Sequence, residues 1–81
     1  MHKNRLIWAS RRGMLELDLI LQPFVEEHYD QLSEEDKLRF HALLELEDQQ
    51  LFNWFLNKEK PLEADMQRIV AIIYESRKHS V

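Results

Sequence analysis

The chain has 81 residues, of which 44% are hydrophobic and 32% charged, and it contains no cysteine. This length predicts one domain over residues 1–81 with a modest core, and the lack of cysteine excludes a disulfide framework and a thiolate zinc site. The net charge of -4 and the dispersed lysines and arginines exclude the electrostatic footprint of a nucleic-acid-binding protein.

No apolar segment is long enough for membrane insertion. The longest one, residues 69–74, falls far below the roughly 20 residues that a bilayer-spanning helix needs. Residues 6–9 are also too few for the apolar part of a secretory signal peptide. We therefore expect a cytoplasmic protein that is not embedded in a membrane, and a cysteine-free composition fits such a reducing compartment.

Hydrophobic periodicity predicts five helices, of which the first covers about residues 3–12 and ends at Gly13. The second begins at Met14 and runs to about Tyr29. Pro23 lies inside it, and its missing N–H leads either to a kink, which we favour, or to a restart as another short helix. We expect this helix to be largely buried. Its apolar residues are Met14, Leu15, Leu17, Leu19, Ile20, Leu21, Phe24 and Val25.

The other three helices have recognisable beginnings. Ser33 is a predicted N-cap, followed by three acidic residues that suit the positive end of a helix. Asp48 is predicted to cap the fourth helix, and the fifth runs from about residue 62 to residue 77. The buried stripe of the fifth helix is predicted to be Leu62, Met66, Ile69, Val70 and Ile73. The sequence thus predicts an all-α fold, a compact five-helix bundle.

No constellation of catalytic or metal-binding residues is recognisable. The four histidines lack metal-binding spacing, and the serines lack a neighbouring base. His28 is better explained as a solvated side chain. Glu16 and Asp18 lie about 200° apart on a helix, so they cannot share a proton as a catalytic dyad. We therefore expect a protein that is not an enzyme and binds no metal.

The octapeptide of residues 11–18 is the most informative segment. It holds the only glycine, Gly13, which we expect to be used for its backbone, through a positive φ or a close approach by another chain. One interpretation is structural: Gly13 is an N-cap, Glu16 reaches back to its N–H in a capping box, and Arg12 pairs with Glu16. The other is a docking surface, because a cap needs neither Arg11 beside Arg12 nor Asp18 after them. The two interpretations are compatible.

Arg12, Gly13 and Glu16 form an Arg-Gly-x-x-Glu pattern, which is preceded by Trp8 and followed later by the run Leu51-Phe52-Asn53-Trp54. Together these features resemble the succinate dehydrogenase flavinylation factors, small bacterial and mitochondrial proteins, and the resemblance covers most of the chain. It implies an assembly factor that binds the flavoprotein subunit of succinate dehydrogenase, or of fumarate reductase, and promotes covalent attachment of FAD.

The resemblance also has implications for the site and the cofactor. The partner-binding residues would be Trp8, Arg11, Arg12, Gly13, Glu16 and Asp18. In that family FAD becomes bonded to a histidine of the partner, so this chain would hold no tightly bound cofactor and would contact FAD only transiently, through the partner. We place Phe52 and Trp54 in the core, with a flavin-stacking platform as the alternative.

A rival hypothesis comes from a different class of protein. An antitoxin-like regulator would neutralise a toxin by protein contact, an activity also ascribed to members of this family. The two hypotheses predict different partners, so capture of the bound protein distinguishes them.

Overall fold

The structure, a computed structural model, describes residues 13–78, and every regular element in that range is helical. This confirms the predicted all-α fold for these residues. The first predicted helix, residues 3–12, lies outside the described residues, so this helix stays a prediction. The elements are α1 Leu15–Glu27, a 3-10 turn Tyr29–Gln31, α2 Glu34–Leu44, α3 Asp48–Phe55 and α4 Ala64–Lys78.

Helix α1 continues through Pro23, so a restart at this proline is wrong. The pyrrolidine nitrogen has no hydrogen to donate to the carbonyl of Leu19, one turn earlier, but the turns on both sides remain helical. The helix ends at Glu27, two residues before the predicted Tyr29. The 3-10 turn that follows leads the chain directly into α2.

The predicted beginning of α2 is confirmed. Ser33 is the N-cap, and its Oγ accepts a hydrogen bond from the backbone N–H of Asp36 at 3.2 Å. The predicted Asp48 cap of α3 is displaced by one residue, because Glu47 takes the extended N-cap conformation (φ -73°, ψ 151°) and Asp48 is the first helical residue. The acid still lies where the helix dipole favours it.

The segment before α4 differs more from the prediction. Leu62 precedes the helix and is 97% exposed, so its assignment to the buried stripe is wrong. Pro61 is buried instead, and its carbonyl accepts a hydrogen bond from the Gln67 side chain at 2.7 Å. This bond holds the extended segment against the first turn of α4 and leaves Leu62 outside.

One hydrophobic core lies among the four helices. Trp54 is buried in it, as predicted, whereas Phe52 is only half-buried. The rings of Phe24 and Phe40 contact each other at its centre, with centroids 5.3 Å apart. The other buried hydrophobic residues include Leu17, Ile20, Leu21, Val25, Leu43, Leu51, Phe55, Met66, Ile69, Val70 and Ile73.

Two leucines of α1 contradict the prediction that this helix is largely buried. Leu15 is 68% exposed and Leu19 is 63% exposed. In a regular helix Leu15 lies about 180° from the buried Phe24, nine residues later, so one cannot face the core if the other does. The apolar residues of α1 are too widely distributed around the helix for a single buried face.

Candidate functional site

Gly13 has a φ of +83°, which confirms the predicted positive φ. The residue is exposed, and a Cβ placed on it would meet no atom of residues 13–78 within 4 Å. Within this range the glycine therefore serves the left-handed backbone conformation rather than a tight contact. A close approach by another chain, its second predicted use, stays a prediction.

The capping-box interpretation of Gly13 and Glu16 is wrong by one residue. The N-cap of α1 is Met14, with φ -106° and ψ 118°, and no side chain caps this helix end. An N-cap needs extended backbone angles, and the positive φ of Gly13 is incompatible with them. Glu16 is then the second helical residue, and the first helical hydrogen bond runs from Asp18 N–H to the Met14 carbonyl at 3.0 Å.

The structure separates the two acids of the motif. Glu16 is exposed, whereas Asp18 is half-buried, and both lie in the first turn of α1 near the positive end of its dipole. Of the predicted partner-binding residues, Gly13 and Glu16 thus lie exposed at the beginning of α1, and Asp18 lies further around the helix. Trp8, Arg11 and Arg12 lie outside the described residues.

Leu15, Leu19 and Pro23 form an exposed row along α1 that the sequence analysis missed. Their spacing of four residues places them on one side of the helix, and all three side chains are exposed. We call this set the aliphatic row. A helical-wheel projection would have shown that the apolar residues of α1 cover more than one face, so that some of them must lie in solvent, although it would not have shown which ones.

The aliphatic row leads into a groove between the end of α1 and the end of α4. The volume of the groove is about 390 Å³. His28 is half-buried at its side and stacks on Phe24 with ring centroids 5.8 Å apart, so this histidine is less solvated than predicted. The residues lining the groove are Leu19, Ile20, Pro23, Phe24, Glu27, His28, Ser76 and Arg77.

A second charged region links α2 to α4 and consists of Asp36, Arg39, Asp65 and Arg68, which we call the ion-pair cluster. Asp36 is 5% exposed. Its carboxylate accepts hydrogen bonds from Arg68 at 2.8 and 3.1 Å and from Arg39 at 2.8 Å. Arg39 also donates to Asp65 at 2.9 Å.

These bonds determine the titration of Asp36. The hydrogen bond from Arg68, supported by Arg39, lowers the pKa of the carboxyl from 3.8 to about 2, although burial acts in the opposite direction. The charge of Asp36 is therefore neutralised inside the protein. The ion-pair cluster holds α2 and α4 together through Asp36, whose charge is compensated by the two arginines.

Another polar contact near the core is between Tyr29 and His41. The Tyr29 hydroxyl and His41 Nε2 are 2.7 Å apart, and the two rings stack at an interplanar angle of 7°. Burial raises the pKa of Tyr29. Within residues 13–78 no group of three His, Cys, Asp or Glu side chains is placed to hold a metal ion. No helix in this range has the length and apolar character needed to cross a membrane.

Comparison with known proteins finds relatives along most of the chain. Residues 4–77 match the model of a family described as the flavinator of succinate dehydrogenase. A Pseudomonas aeruginosa protein named FAD assembly factor SdhE is 54% identical over 72 residues, which are 89% of this chain and 86% of that protein. A protein of the same name from Pectobacterium atrosepticum is 42% identical over 77 residues, which are 95% of this chain and 88% of that protein. Another, from Pseudomonas savastanoi, is 47% identical over 72 residues, which are 89% of this chain and 86% of that protein.

Proposed function

The chain belongs to the family of flavinators of succinate dehydrogenase, and on that premise we propose how it acts. It is an assembly factor that binds the flavoprotein subunit of succinate dehydrogenase and promotes covalent attachment of FAD to that subunit. The observation that carries this conclusion is the family match, which spans residues 4–77 and therefore includes the motif and the four described helices except for Lys78.

The proposed role is promotion by binding, without chemistry on this chain. The covalent bond forms within the partner, between FAD and a partner histidine, and docking holds the partner in the arrangement that orients the two reacting groups. Such positioning can accelerate a reaction strongly because it removes the entropic cost of finding the reactive geometry. The assembly factor itself is proposed to be no enzyme, and any contact with FAD is made through the partner.

The proposed docking site is the motif at the beginning of α1, with Trp8, Arg11, Arg12, Gly13, Glu16 and Asp18 as its residues. Two features support it. Gly13 is exposed with a positive φ, and Glu16 is exposed on a helix anchored in the core by Leu17, the next residue along the chain. Arg11 and Arg12 precede Gly13 in the sequence, and guanidinium forks suit carboxylates of a partner.

Two further parts of the proposal concern the setting of the protein. We propose the cytosol as its location, because the cysteine-free chain suits a reducing compartment. A fumarate reductase flavoprotein subunit is proposed as a second client, as the resemblance to flavinylation factors implies.

The test is covalent flavin fluorescence of the flavoprotein subunit in a denaturing gel. Cells lacking this protein are complemented with the wild type, Arg12→Glu, Gly13→Arg or Glu16→Lys. We expect the wild type to restore flavinylation and the three variants to fail while remaining folded. Glu16→Lys is included because Gly13→Arg also strains the backbone at φ +83°, whereas Glu16 is exposed in a regular helix.

Two outcomes would contradict the proposal in different ways. Equal flavinylation in all strains, including the deletion, would exclude the assembly role and favour the antitoxin-like regulator. Restoration by the wild type and by all three variants would keep the assembly role but exclude the motif as the docking site.

A further inference from the structure

The outward face of α1 carries more than the motif acids. The aliphatic row runs from Leu15, two residues after Gly13, to Pro23 near the end of the helix. Leu15 and Leu19 are 68% and 63% exposed, and successive members of the row are about 40° apart around the helix. The row is therefore a continuous apolar strip that begins beside the motif.

Acidic side chains lie at both ends of this strip. Glu16 is exposed in the first turn of α1, and Glu26 and Glu27 are exposed in its last turn. In projection around a regular helix, Glu16 and Glu27 lie on the Pro23 side of the row, and Glu26 lies in line with it. The strip thus has an apolar middle with acids at its two ends, in a chain whose net charge is -4.

We propose that the aliphatic row is the apolar centre of the partner contact whose polar end is formed by Gly13 and Glu16. The occupant is the flavoprotein subunit, through an apolar patch bordered by lysine or arginine side chains. This inference rests on the proposed function and deepens it, because it assigns the residues that supply binding energy and states the chemistry of the complementary surface.

Continuity with the motif selects this strip among the exposed leucines. Protein interfaces have an apolar centre and a polar rim, and the row begins at Leu15, next to Glu16 in the first turn of α1 and two residues after Gly13. The other exposed leucines, Leu38, Leu56 and Leu62, lie outside α1. The Pro23 end of the row also borders the groove between α1 and α4, which offers a recess of about 390 Å³ for an anchoring side chain of the partner.

The direct test is the affinity of the purified, FAD-free flavoprotein subunit for variants of this chain. The double variant Leu15→Gln/Leu19→Gln removes the apolar surface, while glutamine keeps a helix propensity close to that of leucine. We expect its affinity to fall roughly 100-fold, about tenfold for each leucine. The matched control is Leu38→Gln, because Leu38 has the same exposure as Leu15 and also lies in a helix; its affinity should stay within about twofold of the wild type.

A second measurement tests the charge of the partner surface. Glu16→Gln/Glu27→Gln should slow association and flatten the dependence of affinity on salt, because opposite charges at an interface rim mainly steer the encounter. Glu59→Gln, an exposed acid in the loop after α3, should leave both unchanged. Faster association of the double glutamine variant would show an acidic partner surface and overturn this part of the proposal.

The outcomes separate the inference from the proposed function. If the double leucine variant binds like the wild type while Glu16→Lys fails to bind and to flavinylate, the inference is wrong and the assembly role stands. If Leu38→Gln weakens binding as much as the double variant does, the loss is not specific to α1 and the inference is again overturned. If the wild-type chain does not bind the subunit at all, both fail.

Discussion

The ion-pair cluster and the outward face of α1 use charge in opposite ways. In the cluster, Asp36 is buried and held by Arg39 and Arg68 at 2.8 Å each, so its charge is satisfied within the chain. On α1, Glu16 is exposed beside two exposed leucines. Internal pairing therefore supports the fold, whereas an exposed acid beside apolar surface is suited to a partner. Variants of the cluster should change the free energy of unfolding, and variants of the face should change binding.

The largest expected effect is that of Asp36→Ala. Removing this carboxylate deletes three hydrogen bonds from the two arginines and should lower the free energy of unfolding by about 2 kcal/mol, in the range of bonds to charged groups. Urea unfolding measures this change. Flavinylation per folded molecule should stay at the wild-type level.

Asp65→Ala is the matched control for that variant. Asp65 belongs to the same cluster, but its side chain is 67% exposed, and its bond to Arg39 is open to water, so the loss of stability should be clearly smaller. If Asp36→Ala abolished flavinylation of folded protein, the division between a structural region and a binding region would be wrong.

The next effect is the dependence of stability on pH. The pKa of Asp36 is lowered in the folded protein to about 2 from 3.8, so its ionised form stabilises the fold at any pH well above 4. As the pH falls from about 4 to about 2, the unfolded chain takes up the proton first, and this contribution of about 1–2 kcal/mol is lost. Urea unfolding of the wild type and of Asp36→Asn at pH 5 and pH 2.5 tests it. The difference between the two proteins should shrink at the lower pH, and a constant difference would contradict the assignment.

Gly13 belongs to the proposed docking site, and its backbone conformation also affects the stability of the fold. Gly13→Ala meets no atom but must adopt a φ of +83°, so we expect a loss of about 1 kcal/mol in the free energy of unfolding. Gly13→Asn should lose less, because asparagine tolerates positive φ better than alanine. Thermal unfolding of the two variants decides this. Equal losses would mean that the backbone conformation is not what Gly13 supplies.

The smallest effect is expected at Lys58, a position outside both regions. Lys58 is the only non-glycine residue with a positive φ among residues 13–78, at 59°. Lys58→Gly should raise the free energy of unfolding by about 0.5 kcal/mol, because relief of the unfavourable backbone outweighs the added flexibility of the unfolded chain. Lys60→Gly, in the same exposed loop, should instead destabilise slightly. If either variant lowered flavinylation, the binding region would extend to this loop, contrary to the proposal.

The elements that depend on local signals were predictable from the sequence. The cap at Ser33, the positive φ of Gly13 and the positions of α2 to α4 follow from residue types within a few positions of each other. The segment before α4 was harder, because the burial of Pro61 and its bond to Gln67 leave Leu62 in solvent. Whether Pro61 or Leu62 is buried depends on which of the two side chains fits against the packed helices, and neighbouring sequence does not decide this.

The ion-pair cluster and the outward face of α1 were only partly predictable from the sequence. Arg39 lies three residues from Asp36, a spacing that favours an ion pair on a helix, but Arg68 is 32 residues away and its approach depends on how α4 packs. For the candidate site, the sequence indicated Gly13 and Glu16 through a motif. It did not indicate that Leu15 and Leu19 face solvent, because hydrophobicity alone does not decide which face of a broadly apolar helix is buried.

The position of Asp36 also has a consequence for the way the protein opens. Its backbone N–H donates to Ser33, the N-cap of α2, and its carboxylate accepts from Arg68, the fifth residue of α4. The first turn of a helix ordinarily frays, but here fraying requires release of a residue from another helix. The amide hydrogens of Asp36 and Lys37 should therefore exchange with solvent only when α4 separates, which joins these distant segments into one cooperative unfolding unit.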